Sequence, residues 1–105
     1  MTPSARYAAS IEILDKIIAG APAERELTIW ARGNRFAGSK ARAAIRDLVY
    51  DALRNLMSYA HLSGLDGARG IFIGRLIAKN EEINRIFNGQ GYGPAGLSDI
   101  EQNAV

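Results

Sequence analysis

The run from Ile45 to Ala60 limits most strongly what this chain can fold into. Apolar residues stand at Ile45, Leu48, Val49, Ala52, Leu53, Leu56, Met57 and Ala60, in alternating steps of three and one. That is the helical period, whereas a strand would alternate at every second residue. The eight positions cover roughly half of a helical wheel, wider than the stripe of a surface helix. The spacing therefore predicts the central helix of a bundle, touched from at least two sides, with Leu53 fully buried. Asp47, Asp51, Arg54 and Ser58 keep the remaining side wet. Ser39 is the expected N-cap and Gly64 the expected stop.

The other elements follow from helix punctuation. Thr2-Pro3 opens a first helix, since proline at the first helical position gives up an N–H that has no partner there anyway. Ala8, Ile11, Leu14, Ile17 and Ile18 form its apolar face, and Gly20 ends it. Pro22 starts a second helix, with Glu24 and Glu26 in the first turn, where the helix dipole favours them. Its inner side is Leu27, Trp30 and Ala31, with Gly33 closing it. After the break Ser63-Gly64-Leu65-Asp66-Gly67, Asp66 is the expected cap of a fourth helix carrying Ile71, Phe72, Leu76 and Ile77. Gly70 and Gly74 weaken that helix by roughly 1 kcal/mol each relative to alanine, unless they serve close packing against the central helix. Asn80 is the expected cap of a short fifth helix with Ile83, Ile86 and Phe87 facing inward. The Gly89–Gly96 stretch reads as a linker or as an extended tail lying on the bundle. Ser98 and Glu101 form a capping box that starts one more helical turn, so the chain reads as cut from a longer protein. The expected division is a helical domain over 1–88 and a Gly-rich linker or tail over 89–105 leading to a missing downstream domain.

Little catalytic chemistry is on offer. There is no cysteine, which excludes disulfides and thiolate metal sites. His61 is the only histidine, and no carboxylate stands at helical spacing to orient it as a general base. Gly89-x-Gly91-x-Gly93 follows a helix, whereas a dinucleotide loop must follow a strand. No cofactor and no metal are expected, and the chain does not read as an enzyme. No apolar run approaches the ~20 residues of a membrane span, and the charged first twenty residues are not a secretory signal. The cytoplasm is the expected compartment.

Charge distribution supplies the one positive signal. The net charge is only +2, but Arg32, Arg35, Lys40, Arg42 and Arg46 follow one another without an intervening acid. Arginine offers planar paired donors to phosphate, and a loop running into a helix start adds free backbone N–H groups. Trp30, Phe36 and Tyr7 are candidates for stacking on unpaired bases, although Trp30 also fits the core register of Leu27 and Ala31.

Leu48-Val49-Tyr50-Asp51-Ala52-Leu53-Arg54, entered through Ser39-Lys40 and Arg42-Ala43-Ala44, resembles the central helix of a NusB-like domain. The nearest likeness is to the amino-terminal domain of the RsmB (Sun/Fmu) family of bacterial ribosomal RNA cytosine-C5 methyltransferases. Gly38-Ser39-Lys40, Arg69-Gly70-Ile71 and Phe87-x-Gly89-x-Gly91 extend the resemblance over nearly the whole chain. It implies an all-α NusB-like bundle of about five helices that engages ribosomal RNA. Such a domain precedes a catalytic domain that binds S-adenosylmethionine and holds the family's catalytic cysteines, none of which can be carried onto this chain. Two departures stand out. Ala41 occupies a place where the family usually has Asp, and Asn55-Leu56-Met57-Ser58 replaces a run often rich in arginine. The second change enlarges an apolar set of Leu56, Met57, Tyr59, Ile71, Phe72 and Ile73, a candidate protein contact through which the chain would form a homodimer or bind another protein.

Overall fold

The computed structural model describes residues 1–105 as seven helices and no strand. They are α1 (Pro3–Ile18), α2 (Ala23–Gly33), α3 (Ser39–Arg54), α4 (Leu56–Ser63), α5 (Gly67–Ala78), α6 (Ile83–Ile86) and α7 (Asp99–Ala104). The all-helical class is as the periodicity predicts; the count of five is too low. No helix is long and apolar enough to cross a membrane.

One reason for the higher count lies inside the organising stripe. Asn55 adopts φ −121° and ψ 26°, outside the helical region, and divides the run into α3 and α4. Its side-chain amide donates to the Asp51 carbonyl at 3.0 Å and to the Asp51 carboxylate at 3.3 Å. An asparagine that competes for the carbonyl one turn back bends a helix. The backbone ladder crosses the bend, with Asn55 N–H on Asp51 O and Tyr59 N–H on Asn55 O. The apolar period therefore runs on unbroken in sequence while the axis turns.

Burial moves the centre elsewhere. Phe72, Ile73 and Leu76 of α5 are fully enclosed, and every residue from Gly70 to Gly74 is buried. Leu53, expected to be fully buried, is only partly so; it bridges the two core clusters while Val49 and Ala52 beside it are sealed. The larger cluster surrounds α5 with Tyr7 and Leu14 of α1, Ala52, Tyr59, Ile86 and Phe87. The smaller one joins Ala9 and Ile13 of α1, Leu27 of α2, and Ile45 and Val49 of α3. α5 owes its position to its glycines. A Cβ on Gly70 would come within 2.5 Å of the Leu65 carbonyl oxygen, and one on Gly74 would overlap the Tyr59 carbonyl. Gly74 thus lets α5 approach the backbone of α4, and Gly70 lets it approach the loop between them.

Helix ends mostly follow their signals. Thr2 Oγ1 accepts from the Ala5 N–H at 3.1 Å, with Pro3 at the first position. Ser98 and Glu101 complete the capping box of α7. Three caps differ. Gly38 holds the N-cap position of α3, Ser39 is already helical, and no side chain caps that end. Asp66 occupies the N-cap of α5 without bonding, while Asp15 of α1 accepts from the Ala68 N–H at 3.4 Å. Asn80 sits past the end of α5 at φ 55°, and α6 starts from Glu82.

The Gly-rich stretch lies on the bundle as an ordered turn. Gly89 N–H donates to Pro94 O at 2.8 Å, Gly93 N–H donates to Gln90 O at 3.0 Å, and Pro94 is buried. Arg69 fastens the chain beyond this turn. Its guanidinium lies 4.9 Å from the Phe87 ring centroid, donates to the Ala95 carbonyl at 3.1 Å and grips both Glu101 carboxylate oxygens at 3.0 and 2.8 Å.

Candidate nucleic-acid interface

α2 and α3 both pack on α1, and Leu27, Ile45 and Val49 share one core cluster with Ala9 and Ile13. Between α2 and α3 a shallow cleft of about 510 Å³ opens, floored by Leu27, Trp30, Ala31 and Ile45. Arg32 reaches it from the last turn of α2, Arg35 from the connecting loop, and Arg42 and Arg46 from α3. No acidic residue lines it. Helical register explains the arrangement: Ala41, Ile45 and Val49 turn inward, which leaves Arg42 and Arg46 on the exposed edge. The loop that presents Arg35 is held by the Asn34 amide, which donates to Trp30 O at 2.9 Å, and by buried Ala37.

Four of the five basic residues singled out in the sequence thus meet around one cleft; Lys40 is exposed but does not line it. Arg32, Arg35, Lys40 and Arg42 make no ion pair. Arg46 does. It binds both carboxylate oxygens of Glu24 and lies 5.2 Å from the Tyr50 ring centroid, while the Tyr50 hydroxyl donates to Glu24 at 2.7 Å. The hydrogen bonds from Arg46, then Tyr50, hold the Glu24 carboxyl below its usual range. The Arg46 guanidinium is therefore already engaged, whereas those of Arg32, Arg35 and Arg42 have no ionic partner. The start of α3, between Arg35 and Arg42, has no side-chain cap, so its first backbone N–H groups have no side-chain partner.

The candidate stacking residues separate. Trp30 is half-buried at the cleft floor, and Phe36 is 81% exposed. Tyr7 is unavailable: it is buried edge-on against Phe72 and its hydroxyl accepts from Arg75 at 2.6 Å. That contact belongs to a network legible only in three dimensions. Arg75 also donates to Asp51 at 2.8 Å, and the Tyr59 hydroxyl donates to the same carboxylate oxygen at 2.7 Å. Burial pushes the Asp51 carboxyl up, but the bonds from Tyr59 and Arg75 outweigh it and leave it below its ordinary value. Burial likewise opposes charge on Arg75, and its anionic and hydroxyl partners raise it on balance. Sequence spacing places Asp51 and Arg75 on separate helices and carries no sign of the pairing.

The apolar set offered as a protein contact needs correction. Tyr59, Ile71, Phe72 and Ile73 are core residues, buried by the close approach of α4 and α5. Leu56 packs partly against the same core. Only Met57, 85% exposed, presents a large apolar side chain outward.

No family model, curated protein or solved structure matches the chain.

Proposed function

We propose that the chain is a non-catalytic RNA-binding domain that engages ribosomal RNA through the α2–α3 cleft. In this reading it is a NusB-like module of an S-adenosylmethionine-dependent rRNA cytosine-C5 methyltransferase whose chemistry lies in another domain. One observation carries the RNA reading: Arg32, Arg35 and Arg42 converge, without ion-pair partners, around a cleft that no acid lines. Unpaired arginines at one opening suit the regular phosphate charge of a nucleic acid, and the indole at the floor suits an unstacked base. The methyltransferase assignment rests on the sequence resemblance alone.

Fluorescence anisotropy of a labelled ribosomal RNA fragment, repeated across salt concentrations, tests the site. Each phosphate contact contributes about 0.7–0.9 to the slope of log affinity against log salt. Replacing Arg32, Arg35 and Arg42 by glutamine is expected to flatten the slope by about 2 to 3 and to weaken binding at low salt. Affinity indifferent to salt and to all three substitutions would rule the cleft out.

A further inference from the structure

A second and larger concavity lies on the other side of Trp30. It has a volume of about 1600 Å³ and runs between the first turns of α1, the loop joining α2 to α3, and the Gly-rich turn after α6. Phe36 and Tyr92 stand at its edges, 81% and 91% exposed, and Trp30 forms part of its wall. Glu12, Glu81 and Glu82 line it, all exposed and none ion-paired; the cations there are the Arg85 guanidinium and the Met1 amino group.

We propose that this groove binds a basic segment of a partner protein, one carrying arginine or lysine among apolar residues. Three properties select that occupant. Size argues against a metabolite, because pockets for small molecules run to about 300–1,000 Å³ and this one is larger and open. Charge argues against a nucleic acid, because the three carboxylates outnumber the Arg85 guanidinium and the Met1 amino group and leave the groove net acidic. The aromatic residues supply the rest. Phe36 and Tyr92 gain almost nothing within the chain, whereas a guanidinium or ammonium over an aromatic face is attracted by the ring as well as by nearby carboxylates. Both rings are carried on ordered turns. Buried Ala37 and the Asn34–Trp30 bond hold the first, and the Gly89–Pro94 and Gly93–Gln90 bonds hold the second. Gly93 lies so close to Ser4 that a Cβ there would overlap the hydroxyl, and Ser4 in turn donates to Ile86 O at 2.5 Å. The Tyr92 turn is thus fixed to α1 and α6, and binding would not have to order it first.

The test uses the intact chain and three labelled probes: a peptide of alternating arginine and leucine, its glutamate–leucine counterpart, and a short single-stranded RNA. The arginine peptide is expected to saturate, to displace none of the RNA held at the α2–α3 cleft, and to change Trp30 emission. Phe36→Ser with Tyr92→Ser is expected to weaken it at least tenfold. Glu81→Gln with Glu82→Gln should weaken it and flatten its salt dependence, and serves as the independent variant if the aromatic pair alters folding. Arg32→Gln, Arg35→Gln and Arg42→Gln, which remove RNA affinity under the proposed function, should leave peptide affinity unchanged. The inference is overturned if the two peptides bind alike, if neither pair of substitutions matters, or if RNA competes for the groove and loses affinity with Phe36→Ser.

Discussion

The half of the molecule built on α4 and α5 and the half built on α2 and α3 use the same residue types in opposite ways. In the first, arginines are internal fasteners. Arg75 joins Asp51 to Tyr7, and Arg69 joins α5 to the tail and to Glu101. In the second, Arg32, Arg35 and Arg42 have no ionic partner. Packing differs in parallel: a large cluster encloses α5, whereas a smaller one joins α2 and α3 to α1. One half is shaped by intramolecular demands, and the other leaves charge and apolar surface available to something else.

The strongest way to break this contrast is to add one methyl group to each half. Gly74→Ala drives a Cβ into the Tyr59 carbonyl, a backbone atom that cannot rotate aside. Overpacking costs about 1–3 kcal/mol and occasionally more, and this site should fall at or above 3. Gly33→Ala in α2 meets nothing within 4 Å and should leave stability unchanged or raise it by up to about 1 kcal/mol. Urea denaturation of both variants decides; equal effects would erase the difference between the halves.

Next in size is Asp51→Ala, which strands Arg75 and removes the acceptor of the Tyr59 hydroxyl. The ion-paired side chains are about one-fifth exposed, so the expected loss lies at or below the buried-pair range, about 2–4 kcal/mol by the same measurement.

A smaller effect is expected at α7, where pH is the probe. The bonds from Arg69, followed by those within the cap, pull the Glu101 carboxyl down to about 2 from an ordinary 4.5. A carboxyl lowered in the folded state stabilises it above the unfolded value, and the contribution is lost as pH falls from about 4.5 to about 2. It should amount to about 1–3 kcal/mol, read as release of residues 99–104 by amide exchange before the core opens. Glu101→Gln should release them already at neutral pH. Protection unchanged by either treatment would show that Arg69 does not hold α7.

The smallest effect sharpens the surface side. Met57→Arg should leave the melting midpoint within error, because the side chain is 85% exposed. Sedimentation then tests self-association: a wild-type dimer made monomeric by this change would add a protein contact on α4 to the surfaces near α2.

Local signals were legible wherever neighbours in sequence are also neighbours in space. Thr2-Pro3, the acidic first turn of α2 and the Ser98–Glu101 box each formed as their spacing predicts. The acid-free run from Arg32 to Arg46 was legible for the same reason. The bend at Asn55 was hidden because the apolar period continues through it. The burial of Ile71, Phe72 and Ile73 was misjudged, although three consecutive apolar residues on a helix point to enclosure from several sides. The pairing of Arg46 with Glu24, the Asp51–Arg75 network and the convergence of Phe36 with Tyr92 depend on how helices cross. No local pattern announces them.

The position of Trp30 has a thermodynamic consequence. One indole lines both the basic cleft and the acidic groove. An occupant of either that reorients the ring alters the affinity of the other by some factor, and the second occupant must alter the first by the same factor. Two ligands of opposite charge on a chain of 105 residues would then communicate through a single side chain. The chain's only tryptophan would report the occupancy of both.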